Sequence, residues 1–185
     1  MIRLHCTRKL LAKLPLTESG RLRNKMPSRY AANDEADSRL SGWHANLLML
    51  QRRQCVLFVH DRTRFPVFIP ALKKNDFAEL DHRFDDSFMN TLFKTGADDT
   101  LMDLGHAALG PLVCDTECDR SVQGTMNRMA QEIEWHLAYD RVPVAEITGY
   151  RLGAWLADRP CNAKGVKDCI WPVRAMHQLL RSQGA

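Results

Sequence analysis

Two segments of the chain carry residues whose types suit binding or catalysis. The first is WHANLL at 43–48, where His44 follows Trp43 and stands two residues before Asn46 at the expected start of a strand. A histidine there can project into a cleft, and its imidazole titrates near neutral pH and can transfer protons. The alternative is a histidine that simply forms hydrogen bonds at the domain surface.

The second segment is DRSVQGTMN at 119–127, expected at the start of a long helix. Gly124 lies in its first turns, although glycine costs helix stability. The N-terminus of a helix attracts anions, and a glycine lets a ligand approach the backbone closely. Arg120, Ser121 and Asn127 are therefore candidate binding residues. The alternative is that Gly124 allows close packing of the helix on the sheet.

Basic residues mark the ends of three strand-like runs between 43 and 72. In an antiparallel meander, Arg52-Arg53 and Lys73-Lys74 would converge at one end, with Arg62 and Arg64 at the other. Such a basic rim, with Trp43 and the aromatic residues Tyr30 and Phe65 near it, suits a nucleic-acid backbone. Basic turns also serve only to keep sheet edges soluble.

An enzymatic alternative places six polar residues in one cleft that acts on a phosphodiester or nucleotide. The six are His44, Asp61, Arg64, Arg120, Ser121 and Asn127. Their convergence would favour an enzyme, and their dispersal a binding module. The chain contains no phosphate-binding glycine motif and no zinc-protease motif. Glu132 and His136, four residues apart, are more typical of a solvated helix face.

No cofactor and no metal site are predicted. Cys114 and Cys118, with Cys161 and Cys169, would supply four thiolates, but neither spacing is that of a zinc knuckle. The other cysteines are scattered, and nothing in the N-terminal segment is typical of a signal peptide. Reduced thiols in the cytoplasm are therefore expected. The chain has no run of about 18 apolar residues, so no segment is expected to cross a membrane.

The hydrophobic pattern predicts an α+β fold. The runs from 43 to 72 predict a three-stranded antiparallel meander, in which CVLFV at 55–59 is a buried central strand. The third run contains Pro66 and Pro70, so it belongs at an edge. Apolar stripes at helical spacing follow, for instance at Phe84 and Phe88. We expect one domain, residues 1–185, with a small, mainly antiparallel sheet and helices packed on one face.

The N-terminal part predicts two further elements and a long connection. IRLHCT at 2–7 alternates apolar and polar residues, as a strand does when one face is buried. A short helix follows and ends at Pro15. Residues 16–41 are polar and rich in charge, which indicates a flexible loop within the domain.

Charge is unevenly distributed along the chain. Residues 1–74 hold 15 basic and 5 acidic residues, whereas residues 75–140 hold 4 basic and 14 acidic residues. This split favours polyanion binding by the first part. An acidic docking surface or DNA mimic at 75–140 is a further alternative, and it requires the 14 carboxylates to share one exposed face.

Three strings in the chain resemble an uncharacterised bacterial family that is defined by a domain of unknown function. They are WHANLL at 43–48, VLFVHDRTRF at 56–65 and RSVQGTMN at 120–127. The resemblance implies a mobile-element or defence setting and no particular activity. The first expectation is thus a binding module for nucleic acid or a protein partner. The candidate binding residues are Trp43, His44, Asn46, Arg52, Arg53, Asp61, Arg64, Lys73, Lys74, Arg120, Ser121 and Asn127.

Overall fold

A computed structural model describes residues 1–23, 36–162 and 168–182. Its strands are β1 (Ile2–Cys6), β2 (Trp43–Leu50), β3 (Arg53–His60), β4 (Pro66–Leu72) and β5 (Leu112–Asp115). Its helices are α1 (Arg8–Leu11), α2 (Leu80–Lys94), α3 (Asp99–Ala108), α4 (Arg120–Asp140), α5 (Gly149–Ala157) and α6 (Pro172–Arg181). Short 3-10 helices cover Lys74–Glu79 and Val144–Glu146.

The five strands form one mixed sheet in the order β4-β3-β2-β1-β5. The meander of β2, β3 and β4 is antiparallel, as predicted, and β4 lies at an edge. The sheet as a whole is mixed rather than purely antiparallel, because β1 pairs in parallel with both β2 and β5. The difference arises because β1 and β5, far apart in the chain, extend the sheet beyond the meander.

The turn between β2 and β3 explains how the meander closes tightly. Gln51 and Arg52 both have positive φ values, 46° and 64°. A two-residue hairpin turn of type I′ requires this at both central positions. This conformation is uncommon for residues other than glycine. The Gln51 side chain accepts from the Val144 N–H at 2.8 Å and donates to the Val142 carbonyl at 3.1 Å. These two hydrogen bonds help to hold the turn.

Helices cover both faces of the sheet, so the prediction of helices on one face is wrong. On one face, Phe84 and Phe88 of α2 pack on Trp43 and Phe58 of the strands. On the other face, the apolar stripe of α4 packs on Cys55, Leu57 and Val59 of β3. The physical reason lies in β3 itself, because its alternate residues are apolar on both sides and each side must be covered.

The helix boundaries agree closely with the sequence pattern. Asp119 caps α4 by accepting from the Ser121 N–H at 2.6 Å, and Gly96 follows α2 with φ of 82°. Asp98 caps α3, because its side chain accepts from the Leu101 N–H at 2.8 Å.

Residues 24–35 of the predicted flexible loop 16–41 lie outside the described residues. Its two described ends make specific contacts. Arg21 forms a bridge to Val113 of β5, and Asp37 pairs with Arg3 at 3.1 Å. In the described part of the chain, no helix is both long and apolar enough to cross a bilayer.

Candidate functional site

The location of β1 inside the sheet brings the residues of the candidate site together. Because β1 lies between β2 and β5, the strand register places His5 beside His44 on one side and Asp115 on the other. Partners in register point to the same face of a sheet. Three polar side chains therefore meet on the face that α4 covers.

His5 is held between two carboxylates. Its Nδ1 atom lies 2.7 Å from Asp115 Oδ1, and its Nε2 atom lies 3.7 Å from Asp61 Oδ2. The first distance is that of a hydrogen bond, whereas the second is longer than one. The side chain of His5 is 10% exposed, so its ring is fixed but still reaches the surface.

His44 makes two hydrogen bonds that fix its tautomer. Its Nε2 atom accepts from the Asp119 backbone N–H at 2.8 Å. Its Nδ1 atom therefore carries the ring proton and donates it to Asp61 Oδ1 at 2.7 Å. Because both nitrogens are engaged, His44 orients Asp61 and joins the sheet to the start of α4. It is not free to act on a ligand.

Arg64 lies on the other side of Asp61. It is 6% exposed and has φ of 59°, and its guanidinium donates to the Asp61 carbonyl and, at 3.2 Å, to Ser121 Oγ. Burial lowers the pKa of Arg64, and the carboxylates of Asp119 and Asp61 oppose that shift. The Ser121 N–H is the main cause of a lowered pKa at Asp119. Buried positive charge thus lies directly beneath the first turn of α4.

A cavity of about 310 Å³ opens above the histidines. His5 and His44 form part of its floor, and Glu117, Cys118 and Gln123 form part of its wall. The cavity exists because α4 covers β2 and β3 but leaves the polar ends of β1 and β5 open.

A second cavity, about 390 Å³, lies along the first turns of α4. Its lining residues are Arg120, Ser121, Gly124, Thr125, Arg128, Cys161 and Asn162. Among the described residues, no atom outside the neighbouring backbone of α4 lies within 4 Å of the place where a Cβ on Gly124 would be. The alternative of close packing between Gly124 and the sheet is therefore wrong, and this glycine faces open space.

Four of the six residues of the predicted enzymatic cleft form one connected cluster. His44 bonds to Asp61, the Asp61 carbonyl bonds to Arg64, and Arg64 bonds to Ser121. Arg120 lines the adjoining second cavity. Asn127 is exposed further along α4 and lines neither of the two cavities.

The other predicted binding residues lie elsewhere. Trp43 is fully buried in the core, where its ring is inaccessible to a base, and Phe65 is buried as well. Asn46 accepts a hydrogen bond from Thr7 Oγ1 at 3.0 Å, next to His44 on the same strand. Tyr30 lies outside the described residues.

The basic residues at the far end of the meander converge as the register predicts. Gln54 of β3 pairs with Leu72 of β4, which brings Arg52-Arg53 close to Lys73-Lys74. All four are exposed. The eight-residue length of β3 separates them from Asp61, about 23 Å at the rise of a strand. This basic end and the histidine cluster are therefore separate surfaces.

The remaining candidates have local partners or do not assemble. Glu132 pairs with Arg159 at 3.3 Å, and His136 pairs with Asp140 at 3.1 Å, as on an ordinary helix face. Among the described residues, the four cysteines 114, 118, 161 and 169 form no group that could hold a metal. The carboxylates of 75–140 lie on helices on both faces of the sheet, and Asp81 and Asp85 are buried. They do not share one exposed face.

Sequence reasoning missed His5, Asp115, Glu117 and Asp119. The alternation in residues 2–7 places His5 on the polar face of its strand, which is the one available signal. No spacing in the chain relates it to Asp115, 110 residues away. Only the pairing of β1 with β5 brings the two together.

The fold and the site define an α+β domain with a histidine–carboxylate pocket beside an arginine-lined cavity. The chain belongs to the DUF6933 family, a domain of unknown function that matches residues 3–175. Comparisons with curated proteins and with solved structures gave no match. The family membership inferred from the three sequence strings is thus confirmed.

Proposed function

We propose that this protein is an enzyme that hydrolyses a phosphate ester, with a phosphodiester or a nucleotide as its substrate. The observation that carries the proposal is the position of Asp61. Its carboxylate contacts His44 and faces His5, while its carbonyl accepts from Arg64. One residue therefore joins a pocket suited to water activation to a cluster of arginines suited to phosphate.

The histidine–carboxylate pocket supplies the first requirement of hydrolysis. Imidazole and carboxylate groups take a proton from an attacking water, either directly or through a bound cation. His5 and Glu117 both line the 310 Å³ cavity, so a water between them is open to a substrate. His44 is fully engaged in hydrogen bonds and serves as a positioning residue for Asp61.

The arginines supply the second requirement. Arg120 and Arg128 line the second cavity, and Arg64 reaches Ser121 on its wall. One guanidinium group can donate two parallel hydrogen bonds to the oxygens of a phosphate, and both Arg120 and Arg128 are exposed and accessible to a ligand. Gly124 leaves open space between these side chains. We assign this cavity to a phosphate group of the substrate.

Turnover of a defined panel of phosphate esters tests the proposal. The panel contains bis(p-nitrophenyl) phosphate, p-nitrophenyl phosphate, nucleoside triphosphates, cyclic nucleotides and short RNA, each with Mg²⁺, Mn²⁺ or Zn²⁺. We expect release of product from at least one phosphodiester or nucleotide. His5→Gln should reduce the rate by about 100-fold or more. Arg120→Ala with Arg128→Ala should mainly raise KM.

His106→Gln is the matched control, because His106 is exposed on α3, outside both cavities. It should leave the rate unchanged. No turnover of any member of the panel by the wild-type protein would refute the enzymatic proposal. Full activity of His5→Gln would show instead that the chemistry lies elsewhere.

A binding module for nucleic acid is the second candidate, and the convergence of four exposed basic residues favours it. Arg52, Arg53, Lys73 and Lys74 form one end of the meander, away from both cavities. Replacing Arg52 and Arg53 by alanine should weaken binding of DNA or RNA and reduce the salt slope by about one for each lost phosphate contact. Exposed Lys94 and Arg174, changed together, provide the control, because they lie by α6 and away from this end of the meander. Equal salt slopes in both double variants would count against this surface.

A further inference from the structure

His5, Asp115 and Glu117 form a compact set of potential metal ligands. One atom from each residue can be chosen so that all three lie within 4.8 Å of one another. We propose that these residues bind a divalent transition-metal ion, of the class that includes Mn²⁺ and Zn²⁺. This site goes beyond the proposed function, and the binding of the ion does not require that function to be correct.

The imidazole of His5 distinguishes this set from a group of surface carboxylates. Its side chain is 10% exposed and is held by the pairing of β1 with both neighbouring strands. Imidazole favours transition metals, whereas carboxylates alone favour magnesium and calcium. A mixed donor set of this kind therefore selects a transition-metal ion.

The contact between His5 and Asp115 already has nearly the right dimensions. Metal bonds of about 2.1 Å place neighbouring ligand atoms roughly 3 Å apart. His5 Nδ1 lies 2.7 Å from Asp115 Oδ1 and donates its proton to that oxygen. A cation that replaces this proton needs a shift of only a few tenths of an ångström. Glu117 follows two residues after Asp115, and its backbone N–H donates to Asp115 Oδ1 at 2.9 Å, so the segment between the two carboxylates is held in place.

A carboxylate also lies on the opposite side of the His5 ring. Metal-binding histidines commonly have a carboxylate near their second ring nitrogen. Asp61 Oδ2 lies 3.7 Å from His5 Nε2, which is beyond hydrogen-bond distance, so it places negative charge near the ring without a direct bond. His44 holds Asp61 in this position through the other carboxylate oxygen.

Three protein ligands leave coordination positions for water, as in catalytic rather than structural sites. His5 and Glu117 line the 310 Å³ cavity, which provides room for that water and for a substrate. The side chains of Cys6 and Cys114, from the same strands, belong to the core cluster on the opposite face of the sheet.

Metal binding can be measured without any substrate. The untagged full-length protein, dialysed against a chelator and then against buffer, is titrated with Mn²⁺ and separately with Zn²⁺ in a calorimeter. Metal content after gel filtration is determined by mass spectrometry. We expect one equivalent per chain for at least one of the two ions. Glu117→Gln and His5→Gln should each weaken binding tenfold or more.

Glu117 is exposed, so its replacement tests the site without a risk to folding. Asp103→Asn, an exposed carboxylate on α3, is the matched control and should bind metal like the wild type. Binding of less than about 0.2 equivalents of both ions, or equal affinity in Glu117→Gln and the wild type, would overturn the metal site. Hydrolysis that persists in chelator would then still support the proposed enzyme. Metal binding without any hydrolysis would support this site and refute that function.

Discussion

The Nε2 atom of His44 accepts a hydrogen bond of 2.8 Å from the backbone N–H of Asp119, 75 residues later in the chain. This contact ties the second strand of the sheet to the N-terminal cap of α4. It also determines which ring nitrogen carries the proton, and so it determines that His44 donates to Asp61. The orientation of the Asp61 carboxylate thus depends on a backbone group of the helix.

Removing the His44 ring should destabilise the fold measurably. His44→Ala leaves the Asp119 N–H and Asp61 Oδ1 without their partner, and each loss costs about 1–3 kcal/mol. Because Asp61 is 24% exposed and water can replace part of its contact, we expect a total loss of about 2–4 kcal/mol in the free energy of unfolding. Urea denaturation measures it.

Two isosteric variants separate the contributions of the two hydrogen bonds. In His44→Gln the amide oxygen can still accept from Asp119, and in His44→Asn the amide N–H can still donate to Asp61. Each should be more stable than His44→Ala. If His44→Ala unfolds at the same urea concentration as the wild type, the two hydrogen bonds contribute nothing to stability.

Replacing either of two helical glycines by alanine should change the free energy of unfolding, in opposite directions at the two positions. A Cβ on Gly149, at the start of α5, would lie 2.3 Å from the Phe68 carbonyl oxygen and 2.7 Å from Pro70 Cδ. Neither neighbour belongs to a flexible side-chain end, so Gly149→Ala should lower the free energy of unfolding by about 1–3 kcal/mol.

Gly124→Ala is the counterpart, because in the described part of the chain nothing beyond the backbone of α4 lies within 4 Å of the added methyl group. Alanine is the better helix former by about 0.5–1 kcal/mol, so this variant should be more stable than the wild type. Thermal and urea denaturation of both variants side by side provide the measurement. A loss of stability in Gly124→Ala would mean that this position is packed after all.

Acid should destabilise the protein through His60. Burial is the main reason that the pKa of this histidine falls from 6.5 to about 4. The unfolded chain takes up a proton as pH falls through 6.5, whereas the folded protein does so only near 4. Stability is therefore complete above about 6.5 and is lost as pH falls toward 4, by roughly 3 kcal/mol in total.

His60→Asn isolates this contribution, because the amide oxygen can replace Nδ1 as the acceptor for the Thr63 N–H. The variant loses the ring contact with Trp43 and should be less stable at pH 7.5. Its further loss of stability between pH 7.5 and 4.5 should be about 2–3 kcal/mol smaller than that of the wild type. An identical loss in both proteins would assign the acid sensitivity to other groups.

The local pattern was sufficient to predict the meander and most of the helices. Pro66 and Pro70 cannot donate to a sheet, and this alone placed β4 at an edge. The run at 55–59 also indicates helices on both faces of the sheet, contrary to the prediction of helices on one face. A strand that is apolar on both sides must be covered on both sides, which requires a helix such as α4 behind the sheet.

The site could be predicted only in part, for a different physical reason. His44, Asp61, Arg64 and Ser121 stand near recognisable turns or helix caps, and they do converge. No local sequence pattern identifies His5 and Asp115 as site residues. They come together only because two short parallel strands pair. Such pairing is determined by tertiary packing and leaves no spacing for sequence reasoning to detect.

The order in which the sheet pairs its strands has a consequence for folding kinetics. Strands β2, β3 and β4 are separated by short turns, whereas β1 must find β2 about 40 residues later and β5 about 110 residues later. Long loops close more slowly than short ones. We therefore expect the meander to form early and β1 to insert between its neighbours late, so that the pocket at His5 is completed among the last events of folding.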